Sequence, residues 1–211
     1  MKFSVQRKEL KALNRFSSTK DIRYYLCGIH VVQNNRGTYL ESTNGHIMGR
    51  LLIDNTPMPQ NSVLIGNKAL KTLIGTARNS EEILHFTIEG VKIHVITPTG
   101  ELTFQALDGT FPDCDRVLPL VIKDEDIAPA GFNPEYLMAF QQASNDIKNS
   151  KKGAIPTISI LQRGNNSALV NIGVDNFIGV IMPMRDGVGA SIPSWCYTPK
   201  VKPLETETAT I

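Results

Sequence analysis

The stretch "FPDCDRVLP", residues 111–119, gathers side chains that can do chemistry. Asp113 and Asp115 could share a cation or a proton, Cys114 carries a free thiol, and Arg116 could hold an anion beside them. A second acidic run, "KDEDI" at 123–127, follows closely. Carboxylate oxygens suit hard cations, but no histidine lies nearby in sequence, and loop solvation accounts for the run better than a metal does. The expectation is therefore no metal and no cofactor. Pro112 and Pro119 bracket the cluster, and because proline fixes φ, the same stretch also reads as a stiff connector between two pieces of protein.

Little else in the chain suggests catalysis. There is no His-x-x-x-His pair, no P-loop and no nucleophile elbow, so an enzyme is not expected. A 41% apolar, 20% charged chain of net charge +2 is ordinary for a globular protein, and any electrostatic function must come from where its charges sit. The three cysteines, Cys27, Cys114 and Cys196, form no Cys-x-x-Cys pair, which argues against a disulfide framework and for a reducing, cytoplasmic setting. The opening "MKFSVQRKEL" has no apolar core of a secretion signal, and no apolar run reaches membrane-spanning length, so no membrane partner is expected.

The elements that would position these groups fall into three similar blocks, each a strand, a helix and further strands. Block one starts with "KFSV", has a helix at about 7–16, and continues with strands near "YYLCGIHVVQ", "TYLEST" and "HIMGRLLI". Block two runs "SVLIG", a helix in "NKALKTLIGTA", then "ILHFTIEG", "VKIHVIT" and "ELTFQAL". Block three begins near "IAPAGF", has its helix in "NPEYLMAFQQASND", and closes with "TISIL", "ALVNIG" and "NFIGVIMPM". Asn67 and Asn133 suit helix N-caps, and Pro134 suits a first helical position.

Helical spacing puts Lys8, Lys11 and Arg15 on one side of the first helix, and Lys68, Lys71 and Arg78 on one side of the second, each opposite an apolar face. The third helix turns Tyr136, Leu137, Phe140 and Ile147 inward and Gln141, Gln142, Asn145 and Lys152 outward. A lysine-rich helix face is commonly just solvated. Two blocks sharing one raise a second reading, an array of cations that meets phosphates without reading sequence.

Five segments, "DIRYYLCGIHV", "STNGHIMG", "FPDCDRVLP", "GFNPEYL" and "VIMPMR", occur in an order that resembles the bacterial DNA polymerase III beta subunit, the sliding clamp. The resemblance implies an α+β DNA clamp fold of repeated half-domains, with helices lining an inner face and sheets outside. It likens residues 1–119 to that family's middle domain and 120–185 to the second half of its last domain, and leaves 186–211 as a C-terminal extension. It also implies a partner-peptide pocket. Leu26, Thr43, Gly45, His46, Ile47, Met48, Pro112, Arg116 and Val117 would form one wall, and Val180, Met182, Pro183, Met184 and Arg185 the other. Methionine-rich walls can repack around many peptides. Judged without the resemblance, Met182 and Met184 read as strand core and His46 as a hairpin residue.

By the same resemblance Arg23, Tyr24 and Tyr25 would meet phosphates and bases, with Lys20 just before them, although simple strand packing explains at least one tyrosine as well. The implied function is a polymerase processivity factor that encircles or holds double-stranded DNA. Its implied partners are a DNA polymerase, other clamp-binding peptides, a clamp loader and further copies of itself in a homo-oligomer; so short a form suggests a phage or plasmid origin. The alternative is a clamp-derived interaction protein that does not encircle DNA. Departures from the family pattern, Asn44 in "TNGH", Ile47, Cys114 and Asp115, point to an altered partner. In the extension, Trp195 and Tyr197 are the expected anchors, either on the body or across the pocket.

Overall fold

The computed structural model describes residues 1–76, 79, 81–118, 130–148, 157–162 and 166–184. Strand β1 (Lys2–Gln6) runs directly into helix α1 (Arg7–Asn14), followed by β2 (Gly28–Asn34), β3 (Gly37–Thr43) and β4 (Ile47–Asp54). The second block repeats that order as β5 (Asn61–Gly66), α2 (Asn67–Thr76), β6 (Ile83–Glu89), β7 (Lys92–Thr97) and β8 (Gly100–Gln105). The third contributes α3 (Pro134–Lys148), β9 (Ser159–Leu161), β10 (Ala168–Asn171) and β11 (Phe177–Ile181).

Local chemistry accounts for most of these boundaries. Asn133 caps α3, its Oδ1 accepting from the Glu135 N–H at 2.9 Å, with Pro134 opening the helix. Asn67 does something else. Its Nδ2 donates to the Ser18 carbonyl at 2.7 Å and its Oδ1 accepts from the Ser17 hydroxyl at 3.1 Å, tying the start of α2 to the segment after α1. The strand expected through "YYL" is instead a 3-10 turn at Tyr24–Leu26, closed by the Leu26 N–H to Arg23 and the Cys27 N–H to Tyr24.

Two antiparallel sheets result. One has four strands in the order β1-β6-β7-β8, and the other has seven in the order β5-β2-β3-β4-β11-β10-β9. The larger sheet passes from block one to block three through β4 and β11, with Gly49 opposite Gly179 in the register. That pairing lets two rings lie on the sheet. A Cβ at position 49 would sit 2.7 Å from the Phe16 ring, and one at 179 would press still closer on the Phe140 ring. Phe16 follows α1 and Phe140 belongs to α3; their centroids are 4.9 Å apart, and Phe177 completes the cluster 5.8 Å from Phe16. Helix α1 thus packs between α2 and α3, and all three cover one face of the larger sheet. Phe3, Val5, Leu84, Phe86, Ile93 and Val95 of the smaller sheet close the same core.

Candidate functional site

The β4–β11 junction brings four of the expected wall residues, Leu26, Met48, Val117 and Val180, together from distant parts of the chain. On the sheet face away from the helices, Leu26, Met48 and Val180 cluster with Leu64, Phe111 and Cys114, and Val117, Leu118, Leu169 and Tyr25 pack around them. Leu26, Met48 and Val180 are only 1–2% exposed, so they form a floor rather than a contact surface. What a partner would touch is Met182 and Met184, 38% and 53% exposed, and the Arg116 side chain, 83% exposed and joined only loosely to Asp113 at 3.3 Å. The Met182 N–H donates to the His46 carbonyl, and the His46 ring stacks on Tyr136 of α3 at 5.5 Å. Pro112 is exposed on the connector, and Pro183 lies between the two exposed methionines.

Two of the expected wall residues do other work. Ile47 is 2% exposed and points into the main core, because neighbouring residues of β4 face opposite ways and Met48 takes the pocket side. Its place in the wall is therefore corrected. Thr43 is buried and builds the β3–β4 turn, its hydroxyl donating to the Ile47 carbonyl at 2.7 Å and accepting from the Gly45 N–H at 3.0 Å. Gly45 has φ +91°, and its open α-carbon lies against the Arg23 guanidinium. Asn44 accepts from both His46 and Ile47 N–H groups through Oδ1, at 2.9 and 3.0 Å. A carboxylate oxygen would serve equally, so this departure leaves the turn unchanged. Arg185 and Pro119 lie outside the described residues.

The "FPDCDRVLP" connector is fastened to the sheet by ions. Asp115 takes Arg50 on one oxygen and Arg36 on the other, both at 2.7 Å. Arg50 also grips Glu41, whose side chain is 4% exposed, with Nε and Nη2 at 2.9 and 2.7 Å from Oε2, while His30 Nδ1 lies 3.0 Å from Oε1. The two arginines flank the Tyr39 ring. Arg36 and then Arg50 hold the Asp115 carboxyl below the usual aspartate range. Burial pushes the Cys114 thiol up to about 12, so it stays protonated and unreactive. The carboxylates and thiol that suggested catalysis thus serve as a fastening and a core residue. Among the described residues no group of three or more His, Cys, Asp or Glu side chains could hold a metal ion, and no helix is long and apolar enough to cross a membrane.

The cations separate into paired and open sets. Lys8 meets Glu81 at 3.4 Å, and both Lys11 and Arg15 meet Asp146 of α3, with Arg15 also donating to Gln142. The helix faces are therefore less basic than spacing alone implies, because Asp146 arrives from 131 residues away. Lys68 and Lys71 stand exposed on α2, and Lys20 is exposed on the loop before Arg23. Arg23 is fastened to Asp21 at 2.9 Å. Tyr24 is 53% exposed, whereas Tyr25 packs into the pocket floor, so the two tyrosines divide between the alternatives. Arg78 and Lys152 lie outside the described residues.

No family model matches the chain. Among curated proteins it is 29% identical over 124 residues to the beta sliding clamp of Pseudomonas putida, 54% of this chain and 33% of that protein. It is 30% identical over 111 residues to that of Caulobacter vibrioides, 48% of this chain and 29% of that protein. The solved DNA polymerase III subunit beta of Pseudomonas aeruginosa superposes with a TM-score of 0.66 at 20% identity, over 88% of this chain and 66% of that one. The Borrelia burgdorferi subunit, in complex with a natural product, gives 0.68 at 16% identity, over 89% and 63%. The chain has the DNA polymerase III beta clamp fold. It is a partial-length, clamp-like protein, matching about a third of the length of its curated relatives.

Within this clamp fold the β4–β11 junction carries features that spacing did not reveal. Phe111, Leu64, Leu107 and Leu169 belong to the pocket floor, and Tyr136 supports His46. Leu64, Leu107 and Leu169 lie outside the five ordered segments, whereas Phe111 belongs to the connector segment and Tyr136 to "GFNPEYL".

Proposed function

We propose that the chain is a clamp-type processivity factor that holds duplex DNA against its helix layer without reading sequence and takes partner peptides at the β4–β11 junction. The observation that carries this reading is the junction itself. Leu26, Met48, Val117 and Val180 cluster on one face of the sheet, with Met182 and Met184 exposed just after β11, while α1, α2 and α3 pack on the opposite face, and this arrangement supports the reading. Partner segments would rest on Met182 and Met184 over the Leu26–Met48–Val180 floor, with Arg116 available to a carboxylate at the rim. Solved relatives with this fold hold griselimycin in one case and a natural product in another, which supports a ligand-accepting surface. The implied partners are a DNA polymerase and other clamp-binding proteins, a loader, and further copies of the chain.

Titration of a fluorescent clamp-binding peptide tests the pocket. Met182→Ala is expected to weaken binding by about 1–2 kcal/mol, a factor of roughly 5–30. Equal affinity in both proteins removes the pocket from the account. On the DNA side, Lys68 and Lys71 are the open cations of α2. Every phosphate that a cation neutralises steepens the fall of log affinity with log salt by about 0.9, so Lys68→Gln with Lys71→Gln is expected to flatten that slope by nearly two in a mobility assay. The same slope in both proteins would exclude α2 from the DNA face.

The pairing of Lys8, Lys11 and Arg15 with Glu81 and Asp146 favours a second reading. With so much of the α1 charge satisfied internally, the protein would use the pocket alone, recruiting or sequestering clamp-binding partners without encircling DNA.

A further inference from the structure

On the face that carries the pocket floor, the larger sheet also holds a groove of about 780 Å³ across β4, β11, β10 and β9. One side of the groove is apolar, lined by Leu52, Leu161, Leu169 and Ile178, with Leu161 41% exposed. The other side is a wall of Arg36, Tyr39 and Arg50. In the register Tyr39 stands beside Leu52 and Arg50 beside Ile178, and both guanidinium groups lie over the Tyr39 ring.

The three wall residues differ in what they leave open. Arg50 is fully committed, with Nε and Nη2 on Glu41 and Nη1 on Asp115. Arg36 is not: Nη2 reaches Asp115 and the Tyr39 hydroxyl, but Nε and Nη1 donate to no described residue, and the side chain is 53% exposed. Tyr39 is only 7% exposed, and its hydroxyl accepts from Asn34 Nδ2 at 3.2 Å and Arg36 Nη2 at 3.3 Å. Asn34 Oδ1 already accepts from the Arg36 N–H at 2.8 Å, which fixes the amide. The Tyr39 hydroxyl hydrogen is therefore left without an acceptor among the described residues. Glu41 and Asp115 match Arg36 and Arg50 in number, so the wall selects by its open donors and not by net charge. Two guanidinium nitrogens beside an O–H suit a carboxylate. Asp175, exposed between β10 and β11, disfavours a carboxylate at its end of the groove.

We propose that this groove takes the residues that flank the clamp-binding motif of a partner protein, an acidic and apolar stretch. Its apolar side chains lie on Leu52, Leu161, Leu169 and Ile178, and its carboxylate is held by Arg36 and the Tyr39 O–H. The proposal rests on the reading of the β4–β11 junction as a peptide surface. Continuity selects the occupant, because Leu169 lines the groove, packs on the pocket floor and pairs with Val180. Met182 lies four residues beyond Ile178, so about 13 Å separates the two surfaces, and four extended peptide residues cover it. Linkage makes the second contact intramolecular, so even a modest groove contact raises the affinity of the whole peptide. Asp115 acquires a role in partner choice, since its carboxylate holds Arg36 at the groove edge at 2.7 Å.

The probes are a fluorescent clamp-binding peptide, the same peptide lengthened at either end by six residues with two leucines and an outermost glutamate, and the six-residue stretch alone. One lengthened form should bind the full chain about tenfold tighter than the short peptide. Measured against the short peptide on the same protein, Arg36→Gln should erase most of that gain, and so should glutamine in place of the glutamate. Both changes together should cost no more than either alone. Leu161→Lys, at an exposed position of β9, should erase the gain as well. In methyl NMR the six-residue stretch alone should shift the Leu161 and Ile178 signals in the unaltered protein and in Met182→Ala, and this shift stands even where the short peptide fails to bind. No gain from either lengthened form together with unmoved methyl signals overturns the proposal and leaves the pocket in place. Equal weakening of short and long peptides by Arg36→Gln also overturns it, by assigning that arginine to the connector alone. So do groove methyl signals that shift with protein concentration, or that contact the Trp195 ring in the free protein, which would give the groove to a second copy or to the chain's own residues 186–211.

Discussion

Gly179→Val will destabilise the protein by about 3 kcal/mol, the upper end for overpacking a filled core. The Cβ would collide with a Phe140 ring carbon and fall 3.2 Å from the Val170 carbonyl oxygen. The ring cannot retreat, because Phe140 is fully buried and lies on Phe16. Chemical denaturation should show a lowered midpoint. Because the two sites touch, their effects will not add: Gly179→Ala combined with Phe140→Leu should be milder than the sum of the single changes. Additivity would mean that the ring and the glycine are not partners, and that the two blocks are joined mainly by backbone pairing. The glycine is therefore a condition for the pocket as well as for the fold, since the same β11 that carries Gly179 presents Val180 to the opposite face.

Arg50→Met should cost about 3–5 kcal/mol, since removing one partner leaves the Glu41 carboxylate buried without its cation. Glu41 and Arg50 side chains are 4% and 12% exposed, which places this pair in the buried regime. For a chain of this length that loss corresponds to a melting point lowered by roughly 6–20 °C. Replacing both residues with methionine should be milder than Arg50→Met alone, because apolar packing of similar volume substitutes well for a buried pair. The connector adds a pH dependence. Asp115 has a lowered pKa in the folded state, so its contribution is complete above the ordinary aspartate range and fades as pH falls through the lowered value. A stability profile that weakens on the alkaline side instead would contradict this assignment. The fastening also explains what the Asp115 departure does. It recruits Arg36 and Arg50 to the connector that carries Val117 over the pocket floor.

Much of the fold was legible because its signals are local. The alternation of β6 and β7, with every second residue buried, reads directly from "ILHFTIE" and "KIHVIT". Asn133–Pro134 announces α3. Strand β3 was legible in "TYLEST", but which side of it is buried was not, because all seven of its residues are buried and no two-residue period marks a face. The site was legible only through ordered motifs, and its finer features depend on packing between distant segments. Whether Ile47 or Met48 faces the pocket turns on where the β3–β4 turn ends. Whether α1 is basic turns on Asp146, far along the chain. The Gly49–Gly179 pair acquires meaning only once β4 and β11 are neighbours.

The central claim is that the helix layer holds duplex DNA as a clamp does. Retention on a nicked DNA circle, compared before and after one cut linearises it, tests this most directly. The account predicts a salt-resistant bound fraction on the circle that disappears when the protein slides off the new ends. Retention on neither circle nor line would contradict DNA holding and leave the peptide surface as the functional part of the protein, whereas equal retention on both would reduce the holding to surface binding without encirclement.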